Sequence, residues 1–389
     1  EKKLGFAFTS TINLPDIQTC TKEAVALAKF SLPDNEFHSF PIYSGLFQTP
    51  NGIYDPKTTQ ITPEGAVELL LRGVDACKTQ LRKQKALIEG ALNIQVTELA
   101  IINSLGTSGS YRDTLIELSV DPTIKSVNSQ ASSFEFQISR TLIEIDPEWI
   151  GRTAASNTQN SLHSKTTKDG QLPVIFTPMA LDFLFRDGFA AAFNAEEVQL
   201  GRSYLAESID SQIAPSYFHL SDNALLPKGN RSRPFDAEGY PSQNTEIIVN
   251  GELKHFLHNS YTAHKAQLAN TGNANRASYQ DFPRIAASNM VITPGKGTLE
   301  DLIAEMGTGI LCRFTFDKPN LSTGDLSALV MEGYYVNRGE IKYPVKNTLI
   351  GINMRDFFKG ITLIGADTRA LQKVVSPSIM IESAKITSG

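Results

Sequence analysis

Cysteine is scarce: the three residues Cys20, Cys77 and Cys312 lie far apart and form no C-x-x-C pair. An odd, sparse set fits a reducing compartment and buried free thiols better than a disulfide framework. Long apolar runs are missing too. No stretch approaches the roughly 18 apolar residues of a membrane helix, so a helical membrane protein is excluded. The chain opens at Glu1 with neither Met nor a signal-like apolar run, and reads as a cytoplasmic protein lacking its beginning. Basic charge is not in excess: 36 Lys and Arg face 41 Asp and Glu, a net charge of −5. That balance gives no general attraction to phosphate backbones, and there is no long basic stripe, so no nucleic-acid partner is expected. The one local patch, Lys228, Arg231 and Arg233, lies in a Gly/Pro/Ser-rich loop and reads as solvated.

Several catalytic signatures are also absent. There is no G-x-S-x-G; the nearest string, Gly106-Thr-Ser108-Gly109, lies in a turn and lacks the last spacing. Neither a Walker loop nor a G-x-G-x-x-G fingerprint occurs, and Gly295, Gly297, Gly307 and Gly309 read as turn and helix-end glycines.

What remains is an ordinary globular composition, 41% hydrophobic and 20% charged, over 389 residues. That length suffices for two or three domains and a sizeable core. Leu4–Thr9 reads as an abruptly starting strand and residues 15–30 as a helix. Thr62-Pro63-Glu64 opens a clearer helix, with Thr as N-cap, Pro at the first position and Glu in the first turn. Val67, Leu70, Leu71, Val74 and Cys77 follow at helical spacing, which makes Cys77 a core residue. Residues 96–102, 114–120 and 133–138 then read as strands, the last two with the alternation of half-buried antiparallel strands. A helical stretch over 147–164 leads to the polar segment 164–170. The predicted fold is α+β: an N-terminal mixed α/β-sheet domain over 1–165 and a β-rich, sandwich- or barrel-like C-terminal domain over 171–389. The latter rests on recurrent short strands between Gly, Pro and Asn turns, interrupted by helices at 179–194 and 298–306.

The densest motif is Arg233-Pro-Phe-Asp236-Ala-Glu238-Gly239-Tyr-Pro241. An alternating segment follows, turning at Asn250-Gly251, a strong hairpin signal. Tyr261-Thr-Ala263 and Thr271-Gly272-Asn273-Ala-Asn-Arg276 come next, then Ser288-Asn289, Gly324-Asp325, Glu332-Gly333, Gly365-Ala-Asp367 and Ser376-Pro-Ser378. Their order and spacing resemble the TldD/PmbA family, also called modulators of DNA gyrase, which are two-subunit metallopeptidases. The resemblance is dense from 171 to 389 and thinner before, and it implies further chain ahead of Leu4.

Catalytic subunits of that family carry a His-Glu-x-x-x-His helix and a C-terminal Cys as zinc ligands, a set suited to activating a bound water. No histidine here is followed by Glu. Placing the motif's glycine on Gly188 puts Leu184 and Phe189 in the histidine places and Phe185 in the Glu place, and Ile361–Ser378 contains no Cys. His255, His258 and His264 form H-x-x-H-x5-H, but residues 252–259 read as a strand, on which positions three apart face opposite ways. No catalytic or metal-binding residue is therefore assigned and no cofactor is expected, so whether the chain is itself an enzyme is left open.

The resemblance then implies a PmbA/TldE-type subunit lacking the zinc motif, partnered by a zinc-bearing TldD-type subunit. Together they would act on unstructured peptides in proteolysis and peptide maturation; a homodimer is expected when the chain is alone. Asp236, Glu238, Gly239, Asn273 and Arg276 are the candidate interface or peptide-contact residues, with turn formation as the competing account for all five. The alternative function is a stand-alone peptide- or ligand-binding module on a degenerate peptidase scaffold.

Overall fold

The computed structural model describes residues 2–126 and 129–389. Its N-terminal part is built on a long antiparallel hairpin, Lys85–Ile102 with Ser108–Ser126, paired continuously from Lys85↔Lys125 to Ile102↔Ser108. At about 3.4 Å per residue such an arm is about 60 Å long. Alternate residues Ile116, Leu118, Val120 and Ile124 are buried on one face. Glu135–Ser139 adds to the second strand at its middle.

Two helices cover that face. Thr62 caps Pro63–Gln80, its Oγ1 accepting from the Gly65 amide at 3.2 Å. Asp146 caps Pro147–Asn160 through the Trp149 amide at 2.9 Å. The helices meet backbone to backbone: a Cβ on Gly151 would sit 2.0 Å from the Gly73 carbonyl oxygen, so only glycine permits this approach. Cys77 is fully buried beside the contact. The first helix, Leu14–Phe30, is capped by Asn13 and buries none of its residues. Leu4–Thr9, expected as a strand, forms none; instead Phe6 packs on Phe282 with ring centroids 4.7 Å apart.

The C-terminal part is β-rich. An eight-stranded sheet runs in the order 325–329, 348–353, 379–388, 170–176, 309–314, 332–337, 340–344, with 361–364 also pairing to 379–388. A six-stranded sheet runs 369–370, 374–376, 290–292, 220–223, 244–249, 252–253. One core joins the two sheets, including Val174, Phe176, Leu220, Ile248, Met290, Ile310, Ile350 and Ile381. The hairpin at Asn250-Gly251 has φ of 51° and 79°, the paired positive values its two-residue turn requires. The following strand is shorter than the sequence pattern predicts. It ends at Leu253, and Ser260–Ala266 is a short helix capped by Asn259.

Two buried clusters hold the parts together. Arg140, at the end of Glu135–Ser139, donates Nε to the Gly229 carbonyl, Nη2 to the Ser232 carbonyl and Nη1 to the Thr114 carbonyl, at 3.0 to 3.1 Å. Its ion pair with Asp113 is 3.1 Å long. Arg313 bridges Glu332 at 2.9 Å and Glu135 at 3.0 Å, and Arg369 reaches Glu135 at 2.9 Å. Buried charges in this density need such pairing to be tolerated.

Candidate functional site

The helix after Gly170–Phe176 is where a family zinc motif would lie. It runs from Pro178 and loosens into a π-helical turn over Phe185–Phe189 before resuming. A π-turn brings residues five apart nearer to one face than an α-helix does, the spacing His-Glu-x-x-x-His would need. The side chains at the three motif places are carbon. Leu184, Phe185 and Phe189 are all fully buried. Phe185 and Phe189 stack at 4.3 Å, and Phe189 meets the rings of Phe357 at 5.6 Å and Phe358 at 5.0 Å. Residues of this kind offer zinc no ligand, and the volume is filled. The zinc implied by the family does not fit this place. Among the described residues no group of three or more His, Cys, Asp or Glu is arranged to hold a metal ion.

The H-x-x-H-x5-H histidines do not converge. Nδ1 of His255 lies 2.7 Å from the Glu246 carbonyl. His258 is buried, its Nδ1 3.1 Å from Thr262 Oγ1, and burial pushes its imidazole down to about 4. His264 stacks on His38 at 4.4 Å between centroids.

The five candidate contact residues divide into two groups. Asp236 is buried and acts as a backbone acceptor: Oδ1 takes the amides of Glu238 and Tyr240, and Oδ2 that of Ala274, at 2.9 to 3.0 Å. Burial, with the charge of Glu238 second, pushes its carboxyl up to about 6, against the opposing pull of Arg233 and the amides. Asn273 is likewise internal, donating to Asp222 at 2.6 Å and accepting from Thr271 at 2.7 Å. Gly239 has φ of 81° and presses on the hairpin tip, where a Cβ would meet Thr107 Cγ2 at 2.7 Å. These three build the loop.

Glu238 and Arg276 instead line a cleft of about 580 Å³. Glu238 Oε2 accepts from the Ser260 amide at 2.9 Å. Arg276 donates to the Asp281 carbonyl at 2.6 Å and lies over the Phe6 ring at 5.0 Å. The remaining wall is largely apolar, with Phe37, Phe40, Ile101, Ile102, Tyr261 and Phe282. An apolar trough with one carboxylate and one guanidinium suits an extended polypeptide segment. Sequence reasoning singled out the two charges but not the aromatic wall, which comes from segments distant in the chain.

The comparisons agree with this architecture. The PmbA/TldA metallopeptidase central-domain profile matches residues 56–162, and the C-terminal-domain profile matches residues 169–388. The chain is 26% identical to the metalloprotease PmbA homolog of Haemophilus influenzae, across 98% of this chain and 83% of that protein. It is 25% identical to metalloprotease PmbA of Escherichia coli O157:H7, across 99% and 83%. A putative modulator of a DNA gyrase from Thermotoga maritima superposes with a TM-score of 0.89 at 25% identity, covering 100% of this chain and 87% of that one. TldE from Thermococcus kodakarensis gives 0.92 at 23%, covering 100% and 88%, a likeness of fold. The two profile matches together take in most of the chain, and the chain belongs to the TldD/PmbA metallopeptidase family.

Proposed function

We propose that this chain is the non-catalytic, PmbA/TldE-type subunit of a cytoplasmic two-subunit zinc metallopeptidase that acts on unstructured peptides in proteolysis and peptide maturation. The observation that carries the reading is the sealed apolar packing of Leu184, Phe185 and Phe189 inside a chain that otherwise matches the family's central and C-terminal domains. A TldD-type partner would supply the metal and the hydrolytic chemistry. This chain would contribute a wall of the peptide chamber, with Glu238 and Arg276 facing peptide or partner in the cleft.

The test is to purify the chain alone, without chelator, and then mix it with a TldD-type subunit from the same source. The expected results are no stoichiometric zinc and no peptidase activity alone, a homodimer on sizing, and exchange into a heterodimer that cleaves unfolded peptides. That activity should depend on the partner's histidines and survive substitution of every histidine here. A partner that is fully active alone and never co-elutes with this chain would sink the subunit reading. The apolar cleft favours the stand-alone peptide- or ligand-binding module as the second reading, which that result would put in its place.

A further inference from the structure

His255 and His258 belong to no metal cluster among the described residues, yet both line one cavity. It encloses about 720 Å³ between the helix Ala195–Gln199, the strand Asn244–Val249 and the segment 266–271. It shares no lining residue with the cleft of Glu238 and Arg276. Its surface is mostly apolar, with Val198 and Phe256 in the wall and two large side chains, Ile209 and Leu268, left exposed. Such a size lies within the about 300–1,000 Å³ that holds a small organic molecule.

Hydrogen bonds fix which ring nitrogen each histidine leaves free. Nδ1 of His255 is 2.7 Å from the Glu246 carbonyl, which can only accept, so in the neutral ring Nδ1 carries the proton and Nε2 the bare lone pair. For His258 the neighbour is Thr262 Oγ1, at 3.1 Å. That hydroxyl donates its own proton to Asn259 Oδ1, an oxygen identified by the Thr262 amide that also donates to it. His258 Nδ1 must therefore donate, which makes its Nε2 an acceptor as well. This Nε2 has no hydrogen-bond partner among the described residues, and it stays accessible although the residue is only 4% exposed. The little of His258 that is accessible thus opens on the cavity. Burial pushes its imidazole down to about 4, so the lone pair persists at neutral pH. An almost buried acceptor without a donor is completed by a ligand's N–H.

Charge at the rim selects among donors. Asp210 and Glu246 line the cavity, and the lysine there, Lys254, is shared between Asp210 at 3.1 Å and Glu252 at 2.6 Å. No arginine is among its described lining residues. We infer that this cavity binds a small apolar amine, its N–H groups donating to Nε2 of His255 and His258 and its hydrocarbon body lying on Val198, Phe256 and Leu268. An ammonium makes charge-assisted hydrogen bonds to such acceptors, whereas a carboxylate would face like charge and lone pairs. The inference does not rest on the subunit reading, since it needs no partner.

Calorimetric titration of the whole chain near neutral pH tests it, with tryptamine and benzylamine as probes. Indole-3-acetate is the third probe, keeping the ring of tryptamine but exchanging ammonium for carboxylate. Saturable binding of at least one amine at one site per chain is expected, with indole-3-acetate at least about tenfold weaker. His255→Phe, a change at an exposed position, should weaken amine binding at least about tenfold, as loss of a charged hydrogen bond implies. His258→Phe should do the same. Because it also removes the Thr262 contact, side-chain nitrogen NMR of the parent is the second readout, and the His258 Nε2 signal should move when the amine binds. His163→Asn, at a histidine outside the cavity, should change nothing. If neither amine binds saturably, or if indole-3-acetate binds as tightly, the inference is overturned. It is overturned equally if His255→Phe binds as the parent does and the His258 Nε2 signal stays in place.

Discussion

Phe185 stacks on Phe189 with ring centroids 4.3 Å apart, across the helical turn where the family's catalytic subunits place a general base and a zinc ligand. The pair is a structural keystone. Truncating it should open a cavity against Phe357 and Phe358: Phe189→Ala is expected to cost about 3–5 kcal/mol in urea unfolding. Installing the motif's histidines as L184H/F189H should also destabilise, because it buries imidazoles among phenyl rings. No zinc should survive dialysis of that variant; stoichiometric retained zinc would show that this core can open into a site.

Asp236 and His258 should pull the pH dependence of stability in opposite directions. The Asp236 carboxyl is pushed up to about 6 by burial, so between about pH 4 and 6 the folded chain holds a proton that the unfolded chain has released. This contribution falls as pH rises through that window. The His258 imidazole is pushed down to about 4, so between about 6.5 and 4 the unfolded chain holds the extra proton. That contribution is lost as pH falls. His258→Asn keeps an acceptor or donor near Thr262 while removing the second term. Stability measured from pH 4 to 6.5 should then decline more with rising pH than in the parent; an unchanged slope would refute the burial of a neutral imidazole.

Gly239 is constrained twice, by its φ of 81° and by Thr107 on the hairpin tip. Gly239→Ala should therefore cost more than about 1 kcal/mol. Thr107→Ser deletes the methyl in the way but keeps the hydroxyl that accepts from the Tyr43 amide at 3.2 Å. The double variant G239A/T107S should recover part of the loss in a denaturant titration. No recovery would assign the whole cost to backbone strain.

Arg140 holds four carbonyl or carboxylate partners while almost wholly buried. Arg140→Met should cost about 3–5 kcal/mol, because Asp113 is left without its counter-charge. Calorimetry should show the loss as a lower midpoint. A variant as stable as the parent would mean that water takes over these contacts.

The α+β division, the capped helix after Thr62 and the Asn250-Gly251 turn were all legible, since each depends on local chemistry. So was the loss of the zinc ligands, because a missing histidine needs no structure to be seen. Leu4–Thr9 misled because apolar residues ask for a contact and not for a strand, and Phe6 finds one by packing on Phe282 without a partner strand. Residues 254–259 misled for a related reason: the short strand stops where His255 turns onto the Glu246 carbonyl and Asn259 caps a helix. In the patch at 228–233, Lys228 and Arg231 are exposed as its composition suggests, and Arg233 alone turns inward, onto Asn275 and the Ala274 carbonyl, residues some forty positions later. Asp236 and Glu238 stand one residue apart in the motif, yet one feeds the backbone and the other lines the cleft.

The unequal burial of the three free cysteines has a practical use. Burial pushes the Cys77 thiol up to about 11, and the Cys312 thiol higher still, so neither presents a thiolate near neutral pH. Cys20 is half-buried on the helix Leu14–Phe30, whose residues all reach the surface. A maleimide dye should therefore mark the folded chain at Cys20 alone and reach the other two thiols only on unfolding. The sequence thus carries its own single-site optical reporter, on a helix that buries none of its residues, for following unfolding without engineering a cysteine.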